Sequence, residues 1–361
     1  MKRFLLGLGA ALILLVAGAW LMRGEIAVRL MGRIYDRAMT ASPSDGLPDG
    51  LHVALCGSGS PMPDPSRAGP CTAVLAGQRL FVFDAGAGSV RNLSLTGLSP
   101  FRVERVFLTH FHSDHIDGLG ELMLQRWAGS GATAPLLVHG PKGVETVVSG
   151  LMTAYGPDRN YRIAHHGEAV TPPAGFGGQA VPFDALSGAD DVILIDEPDL
   201  RIRAFPVDHA PVSPAVGYII EYKGRKAVIS GDTDISPNVE RAARGADLLI
   251  HEGLSLRLVG IQQAAARKAG KANLAKILGD ITTYHTDPEA VAALAAKAGV
   301  KTLVFTHIVP PLPLRALEGP FLGNSRKVFK GEIRVGQDGD MFTLPAGSED
   351  IKRTNRLKRF F

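Results

Sequence analysis

The stretch Val106-Phe107-Leu108-Thr109-His110-Phe111-His112-Ser113-Asp114-His115-Ile116-Asp117-Gly118 decides the reading of this chain. Residues 106–108 are a short apolar run that ends a buried strand. Residues 118–127 read as a helix, with Leu119, Leu122 and Met123 on one face. The strand-to-helix loop between them carries His110, His112, Asp114 and His115. Alternate residues of an extended chain point the same way, so His110 and His112 can share one metal ion. Asp114 and His115 swing toward a second point as the chain turns into the helix. Imidazole and carboxylate ligands suit zinc and do not exclude manganese or iron. A lone histidine here would be read as structural; four candidate ligands in six residues define a metal site.

The rest of the composition sets bounds. A chain of 361 residues with 45% apolar residues makes one large domain or two small ones. The formal net charge is +4, but it is unevenly placed. Residues 1–37 carry +4 and residues 349–361 carry +3, which leaves −3 on the body. Basic ends on an acidic body fit a membrane surface better than a groove that tracks phosphates.

Residues 4–22 are apolar throughout and follow Lys2-Arg3, which reads as an uncleaved membrane anchor. A signal peptide cleaved at Ala17-Gly18-Ala19 is the rival. Residues 23–49 continue as an amphipathic helix, with Ile26, Leu30 and Ile34 in one stripe, and then a polar linker. The expected place is the inner membrane with the body in the periplasm, or exported if the segment is cleaved. Residues 50–345 form the folded domain, and 346–361 a solvated basic tail. Cys56 and Cys71 flank a Gly/Pro-containing loop, and either a disulfide or two buried thiols fits them.

The pattern His110-x-His112-x-Asp114-His115 resembles the metallo-β-lactamase superfamily, and within it the branch of ribonuclease Z and the type III arylsulfatases. The resemblance covers residues 51–344. It implies an α/β fold, the four-layer αβ/βα sandwich, with the site along one edge at strand ends. Gly57-Ser58-Gly59-Ser60-Pro61 resembles the Gly-rich loop after the first strand of this branch. Asp84, in Phe83-Asp84-Ala85-Gly86, matches an aspartate that lies under the metals and also reads as a helix cap. His209, ahead of Gly217-Tyr218, matches the third metal motif, with Asp208 as a hydrogen-bond partner for it. Ser230-Gly231-Asp232-Thr233 matches the motif of the bridging aspartate, and Thr306-His307 the last one.

The resemblance therefore implies two Zn²⁺ ions, with Mn²⁺ or Fe as substitutes. His110, His112 and His209 would hold the first, Asp114, His115 and His307 the second, and Asp232 would bridge them. Glu252, after His251, would aim a catalytic His285. Asp287 and Pro288 start a helix just beyond His285. The branch has His-Ser-Thr at this point, and this chain departs from it with Thr286 and Asp287. In the implied reaction a hydroxide held by the metals attacks, Asp114 orients or deprotonates it, and His285 serves the leaving oxygen. His139, His165 and His166 have no metal context.

The reading that results is a dinuclear hydrolase of small sulfate or phosphate esters, arylsulfatase- or phosphodiesterase-like. A ribonuclease Z-like nuclease is the alternative, and a catalytically silent metal-binding membrane scaffold the second. The ribonuclease Z branch carries a long tRNA-binding arm where residues 219–230 here make only a tight hairpin. That, the acidic body and the membrane-directed N-terminus argue against a nucleic-acid partner; a homodimer is left open. Residues 167–191, rich in Gly, Pro and Ala, read as a loop or lid. Residues 262–278 read as an Ala/Lys-rich surface helix, and 332–344 as the segment that closes the sheet.

Overall fold

The computed structural model describes every residue except Met1, Ala41, 185–190 and 358–361. The chain divides into two units, residues 1–45 and 46–361. The first holds α1 (Lys2–Leu21) and α2 (Arg23–Thr40). Among the described residues no single helix is long and apolar enough to cross a membrane. Gly7–Leu21 and Arg23–Asp36 meet that length and composition only as a pair, bent by 66°. The single span expected over residues 4–22 is thus interrupted at Met22, where the apolar run gives way to Arg23.

The second unit is built on two sheets. The first contains β1 (Gly50–Gly57), β2 (Cys71–Ala76), β3 (Arg79–Phe83), β4 (Val103–Phe107), β5 (Leu136–Pro141) and β6 (Gly178–Phe183). The second contains β7 (Val192–Asp196), β8 (Leu200–Pro206), β9 (Val216–Tyr222), β10 (Arg225–Ile229), β11 (Leu248–Leu254), β12 (Thr302–Val309) and β13 (Glu332–Val335). The chain then returns to the first sheet with β14 (Asp340–Pro345) and β15 (Lys352–Asn355). The strand orders are β15-β14-β1-β2-β3-β4-β5-β6 and β13-β12-β11-β10-β9-β8-β7. Each sheet is antiparallel at one side and parallel at the other, the change falling at β3 and at β10.

Alternation along the strands fills both faces. Leu51, Val53 and Leu55 of β1 meet Ile202, Ile220 and Ile250 of the second sheet in one buried core. The outer face of the first sheet packs through Leu75, Val82 and Val106 against α3 (Ser89–Leu95), a one-turn α4 (Ser113–Ile116), α5 (Leu119–Ser130) and α6 (Val144–His166). The outer face of the second packs through Ile219, Val228 and Leu303 against α7 (Pro237–Ala243) and, later in the chain, α10. Between them lie α8 (Leu256–Lys268) and α9 (Ala272–Asp280), and α10 spans Pro288–Ala298. Strands buried on both faces read as unbroken apolar runs, which is why they are legible in the sequence.

Several expectations are corrected. Part of the supposed loop 167–191 is β6; it is an edge strand, where Pro182 costs no ladder bond. Residues 185–190 of that loop lie outside the described residues. The closing segment 332–344 is two strands in different sheets, parted at Gly339, whose φ of 81° suits glycine. The tail is not all frayed: β15 pairs with β14, and Arg353 donates to the buried Asp340 at 2.9 Å. Lys358 and Arg359 lie outside the described residues. The supposed helix 262–278 is two, turned at Gly270 with φ 69°. The β9–β10 hairpin is as tight as expected. Lys223 and Gly224 both have positive φ, as a two-residue turn of this hand requires.

Cys56 and Cys71 form a disulfide between β1 and β2, across a sequence separation of 15. Replacing both with alanine is expected to lower unfolding free energy by about 3 kcal/mol, the loop-entropy value for this length. A urea titration of the oxidised protein and the double variant checks it.

Candidate metal centre

The site forms where β4, β10 and β12 end on one edge. β4 stops at Phe107, the chain bends at Thr109, and residues 110–112 lead on to α4 without regular secondary structure. His112 then occupies the N-cap of α4, which carries Asp114 and His115. While the His115 ring stays 4.1 Å from that of His110, the short helix brings those two side chains into one group with His307. It can dock because Gly86 lacks a side chain: a Cβ there would stand 2.3 Å from the Asp114 carbonyl. Asp232 follows β10 across Gly231, whose φ is 65°. β12 continues through His307 with a bulge: Glu252 of β11 faces Thr306, the next pair is Gly253 with Ile308, and His307 has φ 46°. A bulge re-aims a side chain, here the imidazole. Asp84 also has φ 56°. Two non-glycine residues in the left-handed region beside one cluster mark backbone strain held at a functional site.

The ligand atoms converge on two points. His110 Nε2 lies 3.0 Å from His112 Nδ1, which lies 3.5 Å from His209 Nε2. His115 Nε2 lies 3.5 Å and His307 Nε2 3.2 Å from Asp114 Oδ2. Asp232 Oδ2 stands between the groups, 3.9 Å from His110, 3.3 Å from His115 and 3.2 Å from His307. Within the sets His110/His112/His209/Asp232 and Asp114/His115/His307, ligand atoms all lie within 4.8 Å of one another. A tetrahedron of donors about 2.1 Å from a zinc ion has edges of about 3.4 Å. The two clusters fit that spacing.

The other ring nitrogens are tied back. The Thr109 hydroxyl donates to Asp84 at 2.8 Å, so it accepts from His110 Nδ1 at 3.0 Å and frees Nε2. His115 Nδ1 donates to Asp84 at 2.8 Å, and its buried Nε2 has no hydrogen-bond partner. His209 Nδ1 donates to the Tyr284 carbonyl at 2.9 Å. Such tethers fix tautomer and ring direction in metal sites. Burial holds the pKa of His110 well below the imidazole range, and it also lowers those of His112 and His209. All three are thereby kept in the neutral form a metal requires. Burial opposes ionisation of Asp232, yet His307 and His115 outweigh it and hold the carboxyl well below its usual range.

His285 sits at the rim of both clusters, its ring 5.2 Å from that of His307 and 5.3 Å from that of His209. Glu252 accepts from the Thr286 N–H at 2.7 Å, and its second oxygen faces His285 Nδ1 at 3.4 Å. Burial lowers the His285 pKa, but the facing Glu252 carboxylate prevails and raises it. Asp287 caps α10 by accepting from the Glu289 N–H, so the segment after His285 is fixed. Asp232, His285 and His307 also group within 4.8 Å, so distance alone would let His285 ligate as well.

The structure thus brings together His110, His112, Asp114, His115, His209, Asp232 and His307, with Asp84, His285 and Glu252 around them. Asp208 is placed otherwise. Its carboxylate accepts from the Ala210 N–H at 3.5 Å, and the His209 ring takes the Tyr284 carbonyl instead. Three supporting residues escape a reading of ligand types: Thr109, Tyr284 and Thr286. Their signal is position alone, each one residue away from a candidate ligand or catalytic histidine.

The family model for the beta-lactamase superfamily domain matches residues 79–308, and the chain belongs to that superfamily. Within it the chain falls in the ribonuclease Z branch. It is 35% identical over 291 residues to the ribonuclease Z of Mycobacterium marinum, covering 80% of this chain and 96% of that one. Its identity to the ribonuclease Z of Mycobacterium bovis is 36% over the same length and shares. Among solved structures, human tRNase Z, short form, matches 81% of this chain and 99% of its own at 22% identity, with a TM-score of 0.56. The metallo-beta-lactamase fold protein YhfI of Bacillus subtilis matches the same shares at 16% identity and a TM-score of 0.59. These two likenesses show the fold.

One expectation is overturned by these relatives. The acidic body and short hairpin argue against a nucleic-acid partner, yet relatives aligned over four-fifths of the chain are ribonucleases by name. The net charge of a whole body averages patches of opposite sign, and binding responds to the patch.

Proposed function

We propose that the protein is a metal-dependent phosphodiesterase that cleaves RNA, holding two zinc ions. The observation that carries this reading is the pair of ligand clusters sharing Asp232, with His285 held beside them by Glu252. The ribonuclease Z relatives favour RNA, the alternative reading, over the small sulfate or phosphate esters first expected. When bound, the metals supply Lewis acidity and lower the pKa of coordinated water. Water attacks phosphorus, its oxygen forming the new P–O bond as one of its protons passes to Asp114 and the ester P–O bond breaks. The departing oxygen takes a proton from His285, whose cationic form Glu252 stabilises. The bent N-terminal helix pair supports attachment to a membrane, and the Cys56–Cys71 disulfide supports an oxidising compartment. The substrate is therefore proposed as RNA in general; the tight β9–β10 turn leaves no arm there for folded tRNA.

The test is incubation of zinc-loaded protein with an end-labelled single-stranded RNA, with Asp232→Ala as control. Cleavage by the wild type alone, abolished by a chelator and restored by zinc, is the expected result. Intact RNA under conditions where a small ester is hydrolysed rejects the RNA reading.

A further inference from the structure

The chain leaves the metal-bearing edge once and comes straight back. β11 carries Glu252 and ends at Leu254. The backbone N–H of Ser255 donates to Val309, two residues beyond His307, and that of Leu254 donates to Thr286. From this root α8 runs out, Gly270 turns the chain, α9 runs back, and a single 3-10 turn (Ile281–Thr283) leads to Tyr284 and His285. The α8–α9 hairpin is therefore rooted at both ends in the catalytic rim. At 1.5 Å per residue α8 is about 20 Å long. That is the span of about six stacked nucleotides.

The charge of this hairpin is opposite to that of its surroundings. Residues 255–283 carry five Lys/Arg and one Asp, net +4, while the rest of the 38–348 body carries −7. Arg257, Arg267, Lys268, Lys271 and Lys276 are all exposed. Lys276 pairs with Asp280. Among the described residues Arg257, Arg267, Lys268 and Lys271 have no carboxylate partner, and the last three gather at the tip. Beside them runs a groove of about 630 Å³, walled by Met62, Pro63, Leu274, Leu278, Pro311 and Pro313. Its walls come from α8 and α9 on one side and from the loops after β1 and β12 on the other, so it borders the metal edge. Cations over the outer reach and an apolar trough toward the rim suit a single strand: phosphates on Lys/Arg, base faces on apolar walls.

We infer that the α8–α9 hairpin is the RNA-docking arm of this protein, holding the strand on one side of the scissile phosphate through Arg267, Lys268 and Lys271. This rests on the RNA reading above. The arm takes the backbone of single-stranded RNA, and it does so from a place in the chain other than the β9–β10 turn.

The test uses the full-length, zinc-loaded protein and three substrates: a single-stranded RNA of about 20 nucleotides, long enough to pass the tip, a dinucleotide, and an aryl phosphodiester. The variant is R267E/K268E/K271E. The control is R326E/K327E/K330E, an equal charge change on exposed residues leading into the start of β13, the strand end away from His307. The long-RNA kcat/KM of the hairpin variant is expected to fall at least about tenfold, and its logarithmic salt dependence to become shallower by about 2, three single-strand phosphate contacts being lost. Turnover of the dinucleotide and the aryl diester, which also reports correct folding, is expected to stay within about twofold, since neither reaches the tip. Long-RNA turnover unchanged in the hairpin variant, or lowered equally in the control, overturns the arm while leaving the RNA reading standing. The arm is equally overturned if the variant loses only flotation with anionic phospholipid vesicles, which would make the hairpin a membrane contact. A wild type that hydrolyses the aryl diester but no RNA removes both claims.

Discussion

Asp232→Ala lowers phosphodiester turnover by about a thousandfold or more, because the shared carboxylate supports both ligand clusters. Its Oδ2 lies 3.2 Å from His307 and 3.3 Å from His115, and within 3.9 Å of His110. Removing it opens both sets and takes away the carboxylate that faces His110, His115 and His307 together. Loss of several kcal/mol of metal-borne stabilisation corresponds to a factor of about 10³. Metal analysis of purified protein checks the cause. The wild type is expected to carry two ions per chain and the variant fewer, while circular dichroism stays native because the two sheets pack independently of this residue. A variant that keeps its metal and its rate removes the shared-ligand role.

His285→Ala is the second large effect, and its signature differs. The kcat for RNA falls by about 10² to 10⁴, the range for loss of a positioned general acid. KM changes little, and metal content stays at the wild-type level. The loss is smaller for an aryl phosphodiester, whose phenolate leaves without help, than for RNA, whose alkoxide needs a proton. Glu252→Gln keeps the bond from the Thr286 N–H and removes the charge facing His285, so it produces a milder form of the same pattern. The comparison also decides between two placements of His285, which groups with Asp232 and His307 as closely as a ligand would. Lost metal in His285→Ala would make it a ligand; retained metal with a leaving-group-dependent rate makes it the acid.

Of the seven candidate metal ligands, His110, His112, Asp114 and His115 stand out because the chemistry is dense in sequence, whereas His209, Asp232 and His307 are read through resemblance, each after an apolar strand that ends on the same edge. Asp84, Glu252 and His285 were legible through resemblance, since a single acid or imidazole carries no periodic signal. The Asp208 expectation failed for a physical reason. Neighbours in sequence need not face each other, and the carbonyl of Tyr284 reaches the His209 ring first. Edge strands β6 and β15 were hidden because edges tolerate Pro, Gly and charge, so Pro182 and Lys352-Arg353 look like loop and tail. The β13–β14 split was hidden because both halves carry buried apolar residues, Ile333 and Val335 in one and Met341, Phe342 and Leu344 in the other, and the turn at Gly339 marks the change of sheet. The expectation against a nucleic-acid partner, overturned by the ribonuclease Z relatives, rested on a sum over the whole acidic body, which hides local charge such as the +4 of residues 255–283.

The most direct measurement is the ratio of kcat/KM for single-stranded RNA to that for an aryl sulfate, on one zinc-loaded preparation with Asp232→Ala as the blank. A ratio well above one, lost in the blank, is what the account predicts. Sulfate turnover above the blank with RNA at the blank level would contradict it and return the protein to the small-ester hydrolases.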